Sequence, residues 1–133
     1  MRRPRVLLAD DHLMFTEGLR NILEPHYDIV GSCEDGNKAV ASTQELSPDV
    51  VVMDISMPLL NGIKAARQIR RLGILSKIII LTMHSDAAFV REAFEAGANG
   101  YVLKNDAGAE IVAAIREAME GRKYISLKIG PIP

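Results

Sequence analysis

Short apolar runs alternate with longer amphipathic stretches along this chain. Val6-Leu7-Leu8-Ala9, Ile29-Val30-Gly31, Val50-Val51-Val52-Met53, Ile78-Ile79-Ile80-Leu81 and Gly100-Tyr101-Val102-Leu103 each have strand length and stop at polar or turn-forming residues. Between them the apolar period lengthens. Met14, Leu19, Ile22 and Leu23 recur at helical spacing before Pro25. Residues 38–46 read as a helix ending at Ser47-Pro48, and residues 63–72 as one with Ile63, Ala66, Ile69 and Leu72 on a stripe. Residues 87–96 form a fourth helix. A fifth spans 109–119, with Ile111, Val112, Ile115 and Met119 facing inward and Gly121 as its stop. The pattern predicts a strand-helix unit repeated five times. Strands that are apolar throughout have both sheet faces covered, which predicts a parallel sheet between helices. Right-handed crossovers then favour a doubly wound open α/β sheet with helices on both faces.

Composition narrows the class. The chain has 133 residues, a typical single-domain length, with 48% hydrophobic and 25% charged residues, so a packed core is expected. A net charge of −1 argues against a surface devoted to nucleic acid. The single cysteine, Cys33, makes an internal disulfide impossible, fits a reducing compartment and reads as a small buried hydrophobe. No segment approaches the roughly 20 apolar residues of a membrane span. The basic start Met1-Arg2-Arg3-Pro4-Arg5 leads into a short apolar run ending in Asp10-Asp11, unlike a secretory leader. The expectation is a cytoplasmic protein without a membrane partner.

In open parallel sheets, ligands bind at the carboxyl ends of the strands. Here strand one ends in Asp10-Asp11, strand three in Asp54, strand four in Thr82 and strand five in Lys104. Taken singly, each is an ordinary strand-end residue: a solvated turn, a helix cap, a surface lysine. Taken together they place three acids, a hydroxyl and an ammonium at one edge. Three close carboxylates repel, which raises a pKa or calls for a cation. Carboxylate oxygens suit Mg²⁺. A phosphoryl group would meet metal, ammonium and hydroxyl there, and aspartate is a known phosphoryl acceptor. His12 and His84 flank the edge. His12 reads as shaping the loop into the first helix, with ligand or proton-carrier roles as alternatives. Met53, Met57 and Met83 read as packing residues. Arg67, Arg70 and Arg71 read as a solvated helix face, and His26 as exposed.

These motifs resemble the receiver domain of bacterial two-component response regulators. Leu7-Leu8-Ala9-Asp10-Asp11-His12, Pro48-Asp49-Val50-Val51-Val52-Met53-Asp54, Met57-Pro58 with Asn61-Gly62, Leu81-Thr82 and Gly100-Tyr101-Val102-Leu103-Lys104 carry the likeness. Leu60-Asn61-Gly62-Ile63 and Gly121-Arg122-Lys123-Tyr124-Ile125-Ser126 resemble the NarL/FixJ branch, whose members usually carry a LuxR-type helix-turn-helix output domain. The resemblance implies a flavodoxin-like, five-stranded sheet in the order 2-1-3-4-5. It implies Asp54 as phospho-acceptor, a Mg²⁺ site on Asp11, Asp54 and the Ser56 backbone carbonyl with Asp10 behind them, and Thr82 and Lys104 on phosphoryl oxygens. Thr82 and Tyr101 would be switch residues changing the face made by helix four, strand five and helix five. The implied partners are a sensor histidine kinase, a second copy on phosphorylation, and DNA only through an output domain that this chain lacks. Many relatives have proline after the lysine in a cis bond. Here Asn105 follows Lys104, and the sequence leaves that isomer open.

Residues 1–121 read as the receiver domain and 122–133 as a linker or tail. Two rival functions have sequence tests. A haloacid-dehalogenase-type phosphatase needs a second acid two residues after its aspartate, where this chain has Ser56. A phosphate-independent interaction module is the alternative to a phosphorylated switch, but all the site groups are present. A switch that catalyses only its own phosphorylation and dephosphorylation, not a multiple-turnover enzyme, is the reading that accounts for them.

Overall fold

A computed structural model describes residues 2–131. The elements run β1 (Arg5–Ala9), α1 (Leu13–Leu23), β2 (Asp28–Cys33), α2 (Gly36–Leu46), β3 (Val50–Asp54), α3 (Gly62–Arg71), β4 (Lys77–Thr82), α4 (Ala87–Glu95), β5 (Gly100–Leu103), α5 (Ala107–Met119) and β6 (Tyr124–Ile125). All pairings are parallel, in the order β2-β1-β3-β4-β5-β6.

Side chains alternate across each strand, and the two sets define two cores. Leu7, Val51, Met53, Ile78, Ile80 and Tyr101 pack with residues of α2, α3 and α4, including Ala39, Ile63, Ile69 and Val90. Val6, Leu8, Val52, Ile79, Leu81 and Val102 face the other way, against Leu19 and Leu23 of α1 and Ile111 and Ile115 of α5. The doubly wound expectation therefore holds. Helix starts are fixed locally: Asp35 Oδ1 accepts the Lys38 N–H at 2.8 Å, and Asn61 Oδ1 accepts the Lys64 N–H at 2.9 Å.

The sheet has six strands rather than five. Tyr124–Ile125, in the segment read as a tail, pairs with Gly100 and Tyr101. Two residues carry too little periodicity to register as a strand; the open edge of β5 decides their conformation. β5 is therefore not the edge strand. Met119, assigned inward, is exposed, as are Met14 and Leu72, which belong to the apolar pattern of their helices. Leu72 and Met119 lie at or just beyond a helix end, and Met14 falls on the face of α1 opposite the buried Leu23. Ile22 is likewise at the surface, and Val112 is only partly buried. Among the described residues every peptide bond is trans, so the Lys104–Asn105 bond is trans, and a single 3-10 turn, Lys104–Asp106, follows β5. No helix among them is long and apolar enough to cross a membrane.

Candidate functional site

The order β2-β1-β3 reverses the winding direction between β1 and β3, and a crevice opens at their carboxyl ends. β1 delivers Asp10 and Asp11 into it; β3 delivers Asp54. The Asp10 N–H is held by the Cys33 carbonyl at 3.0 Å, and the Ile55 N–H by the Leu81 carbonyl at 2.9 Å. The loop after Asp54 closes tightly beneath it. The Gly62 N–H donates to the Ile55 carbonyl at 2.9 Å. A Cβ at Gly62 would lie 2.4 Å from the Asp54 carbonyl oxygen, so only glycine allows this approach.

Asp10 and Asp54 are buried, whereas Asp11 and His12 are exposed. One ligand atom from each of these four residues falls within 4.8 Å of the others. Lys104 reaches in from the end of β5. Its Nζ lies 2.9 Å from Asp10 Oδ2 and 3.1 Å from Asp54 Oδ2, and its side chain is only 10% exposed. The ammonium also stands 4.6 Å from the centre of the half-buried Phe15 ring. Asp54 Oδ1 accepts the Ser56 N–H at 3.2 Å.

His12 is more central than its sequence role suggested. Its N–H donates to Asp10 Oδ1 at 2.8 Å, which does shape the loop. Its Nδ1 is 3.0 Å from Asp10 Oδ1, 3.3 Å from Asp11 Oδ1 and 3.0 Å from Lys104 Nζ. A proton on that nitrogen serves the carboxylates and opposes the lysine; its absence does the reverse. The sequence signal was its place directly after two strand-end acids.

Thr82 is hydrogen-bonded within its own loop and not to the carboxylates among the described residues. It is buried at the end of β4, and its Oγ1 accepts the His84 N–H at 2.9 Å. Tyr101 points into the core beneath it and donates to the His84 carbonyl at 2.8 Å. Thr82 and Tyr101 thus share one loop. Met53 and Met57 are buried packing residues, and Cys33 is buried as expected, its thiol pushed up to about 11 by burial and by Asp35.

Burial raises the Asp54 carboxyl above its ordinary value, and the Asp10 charge adds to this; Lys104 and the Ser56 N–H oppose it. Lys104 is also raised. Burial works against its charge, but the paired carboxylates of Asp10 and Asp54 together outweigh it. One ammonium does not neutralise three acids. Asp10 Oδ2 is in charge contact with Lys104 yet buried without a hydrogen bond among the described residues. A buried carboxylate oxygen that shares a single ammonium with Asp54, beside two further carboxylates, fits a hard divalent cation.

A doubly wound sheet with an aspartate cluster and a lysine at its switch point defines an acid-centred α/β domain of the flavodoxin-like kind. The chain belongs to the response regulator receiver domain family, whose profile matches residues 6–116. It is 43% identical over 127 residues to the transcriptional regulatory protein LiaR of Bacillus subtilis, covering 94% of this chain and 60% of LiaR. It is 35% identical over 127 residues to the transcriptional regulatory protein DegU of Brevibacillus brevis, covering 94% of this chain and 54% of DegU. A crystal structure of a LuxR-family two-component response regulator from Aurantimonas superposes with a TM-score of 0.91 at 42% identity, covering 96% of this chain and 92% of that one. The chain thus spans little more than half the length of these curated relatives, which are regulators of the LuxR, NarL and FixJ type.

Proposed function

We propose that this chain is a phospho-accepting switch in which Asp54 takes a phosphoryl group from a phosphohistidine of a sensor kinase. The observation that carries the reading is the convergence of Asp10, Asp11, Asp54 and Lys104 at the carboxyl edge of the sheet, where one ammonium is shared by the buried carboxylates of Asp10 and Asp54. Asp11, Asp54 and the Ser56 carbonyl would hold Mg²⁺, with Asp10 behind them. A bound Mg²⁺ neutralises carboxylate and phosphoryl charge. The Asp54 carboxylate attacks phosphorus as the bond to the donor imidazole breaks. The imidazole leaves with that electron pair and is reprotonated by solvent. Lys104 turns from its carboxylate partners to the phosphoryl oxygens, and the Thr82 hydroxyl leaves the His84 N–H to join it. Both moves exchange hydrogen-bond partners without making or breaking a covalent bond, and phosphoryl transfer asks of the protein chiefly such positioning and charge.

The readout follows from the shared loop. Tyr101 donates to the His84 carbonyl, and the His84 N–H donates to Thr82. Drawing Thr82 toward phosphate therefore biases Tyr101 and the α4-β5-α5 face, a population shift between two packings. Hydrolysis of the acyl phosphate, catalysed by the same groups, resets the switch. The receiver body reaches past residue 121, since Tyr124–Ile125 join its sheet and Ser126 is buried, and the residues after them lead to a LuxR-type DNA-binding domain outside this chain. The relatives' designation as transcriptional regulatory proteins supports that output and a cytoplasmic setting.

Intact mass after incubation with Mg²⁺ and acetyl phosphate tests the reading. A single phosphoryl adduct, labile to hydroxylamine and missing in Asp54→Asn, is expected. No adduct with acetyl phosphate or a kinase, or one that persists in Asp54→Asn, refutes it.

A further inference from the structure

Lys104 is braced on both sides by residues that come after α5. The chain turns at Gly121, where φ is 82°, and runs along β5. The Tyr124 N–H donates to the Asn99 carbonyl at 3.1 Å and the Ser126 N–H to the Tyr101 carbonyl at 2.9 Å. The Leu103 N–H then donates to Ser126 Oγ at 2.8 Å. Ser126 is fully buried, and both its N–H and its hydroxyl are spent on β5. The hydroxyl replaces a strand carbonyl where the ladder stops, at the residue just before Lys104.

On the other side of Lys104, Lys128 Nζ lies 3.1 Å from Asp106 Oδ1, in the 3-10 turn that Lys104 opens. The second oxygen, Asp106 Oδ2, is buried without a hydrogen bond among the described residues, and Lys128 is the one cation paired with Asp106 among them. Lys128 also lines a cleft of about 150 Å³ together with Thr82, Ser85 and Asn105. One segment therefore touches the backbone before Lys104, the turn after it and the rim beside Thr82.

We infer that Ser126 and Lys128 are positioning residues for phosphoryl transfer: they set where the Lys104 ammonium stands, so the segment after α5 belongs to the phosphoryl-accepting machinery. This rests on the reading of Asp54 as acceptor. A lysine places its charge through four rotatable bonds, so small shifts of the backbone that carries it are amplified at Nζ. Misplacement of a catalytic charge by about 1 Å is worth roughly 100-fold in rate. Coupling between the two places is reciprocal: whatever moves Lys104 toward a phosphoryl group also loads the Ser126 and Lys128 contacts, and so the chain leading out of the domain.

Lys128 makes the test clean because its side chain is 72% exposed. Such an ion pair adds little to stability, so an effect on rate separates from an effect on folding. The rate of Asp54 phosphorylation by acetyl phosphate with Mg²⁺ is measured against donor concentration, beside melting curves. Lys128→Gln is expected to slow the saturated rate roughly three- to tenfold, with the half-saturating donor concentration and the melting temperature little changed. Lys128→Arg restores the rate. Asp106→Asn with Lys128→Gln is no slower than the worse single variant, as two halves of one contact should behave. Ser126→Ala slows the reaction further, and its melting curve tells whether folding contributes. Lys128→Gln reacting at the wild-type rate overturns the inference while leaving Asp54 as acceptor. A wild-type protein that forms no Asp54 adduct overturns both.

Discussion

Tyr101 carries the residue-scale consequences of this packing. Its ring is fully buried and its hydroxyl has one defined acceptor, the His84 carbonyl. Burial pushes its pKa up to about 12, with the Asp86 charge adding and the Thr82 hydroxyl opposing. Tyr124 is also pushed up to about 12, by burial and then by its contact with Glu110, and Tyr27 is raised by burial. The neutral phenols are therefore the native form. For an acid whose folded pKa lies above its unfolded value, stability is complete below the unfolded value and falls as pH rises toward the folded one. Folding stability should thus decline between pH 10, the ordinary tyrosine value, and about 12. A tyrosinate absorbance titration run beside denaturant midpoints checks this; normal ionisation near pH 10 in folded protein would contradict it. Tyr101→Phe should remove part of this alkaline loss, and at neutral pH should cost about 1 kcal/mol for the hydrogen bond.

Among the elements, α3 and the loop before it show how tightly the site is tied to the scaffold. Asn61 caps α3 and Gly62 opens it against the Asp54 carbonyl. Leu59 in the same loop takes a left-handed φ of 68°, a conformation that disfavours a leucine. Gly62→Ala would push the loop off Asp54, with an expected cost of about 1–3 kcal/mol, as for overpacked sites. Urea denaturation measures it; an unchanged midpoint would mean that the loop yields freely. The helices also show where pattern reading fails. Ile63, Ile69, Ile111 and Ile115, in the middle of their helices, are buried as their spacing requires. Leu72 and Met119 share that spacing but sit at or beyond the helix ends, while Met14 falls on the outer face of α1, opposite Leu23.

At the scale of the whole molecule, the segment after Gly121 seals the sheet. Truncation after Gly121 would free the Tyr101 carbonyl and Leu103 N–H on β5 and uncover the core beneath Ile125 and Ile129. An exposed strand edge templates association. The truncated protein should unfold at lower urea and self-associate, as read by light scattering; a monomer of unchanged midpoint would show the segment to be dispensable. By itself the sequence determined the element order, the two-sided sheet and the set of groups at its carboxyl edge. Those follow from local periodicity and from the rule that each strand end delivers its next residue to the same edge. Only the tertiary structure decided the sixth strand, the central place of His12, the trans bond after Lys104 and the contacts of Ser126 and Lys128 with the residues on either side of Lys104. These depend on contacts between residues far apart in the chain: the Ser126 hydroxyl on the Leu103 N–H, Lys128 on Asp106, and the Lys104 ammonium beside His12, Asp10 and Asp54. Local pattern holds no information on such distances, because they are fixed by how the strands stack and where the chain is free to return.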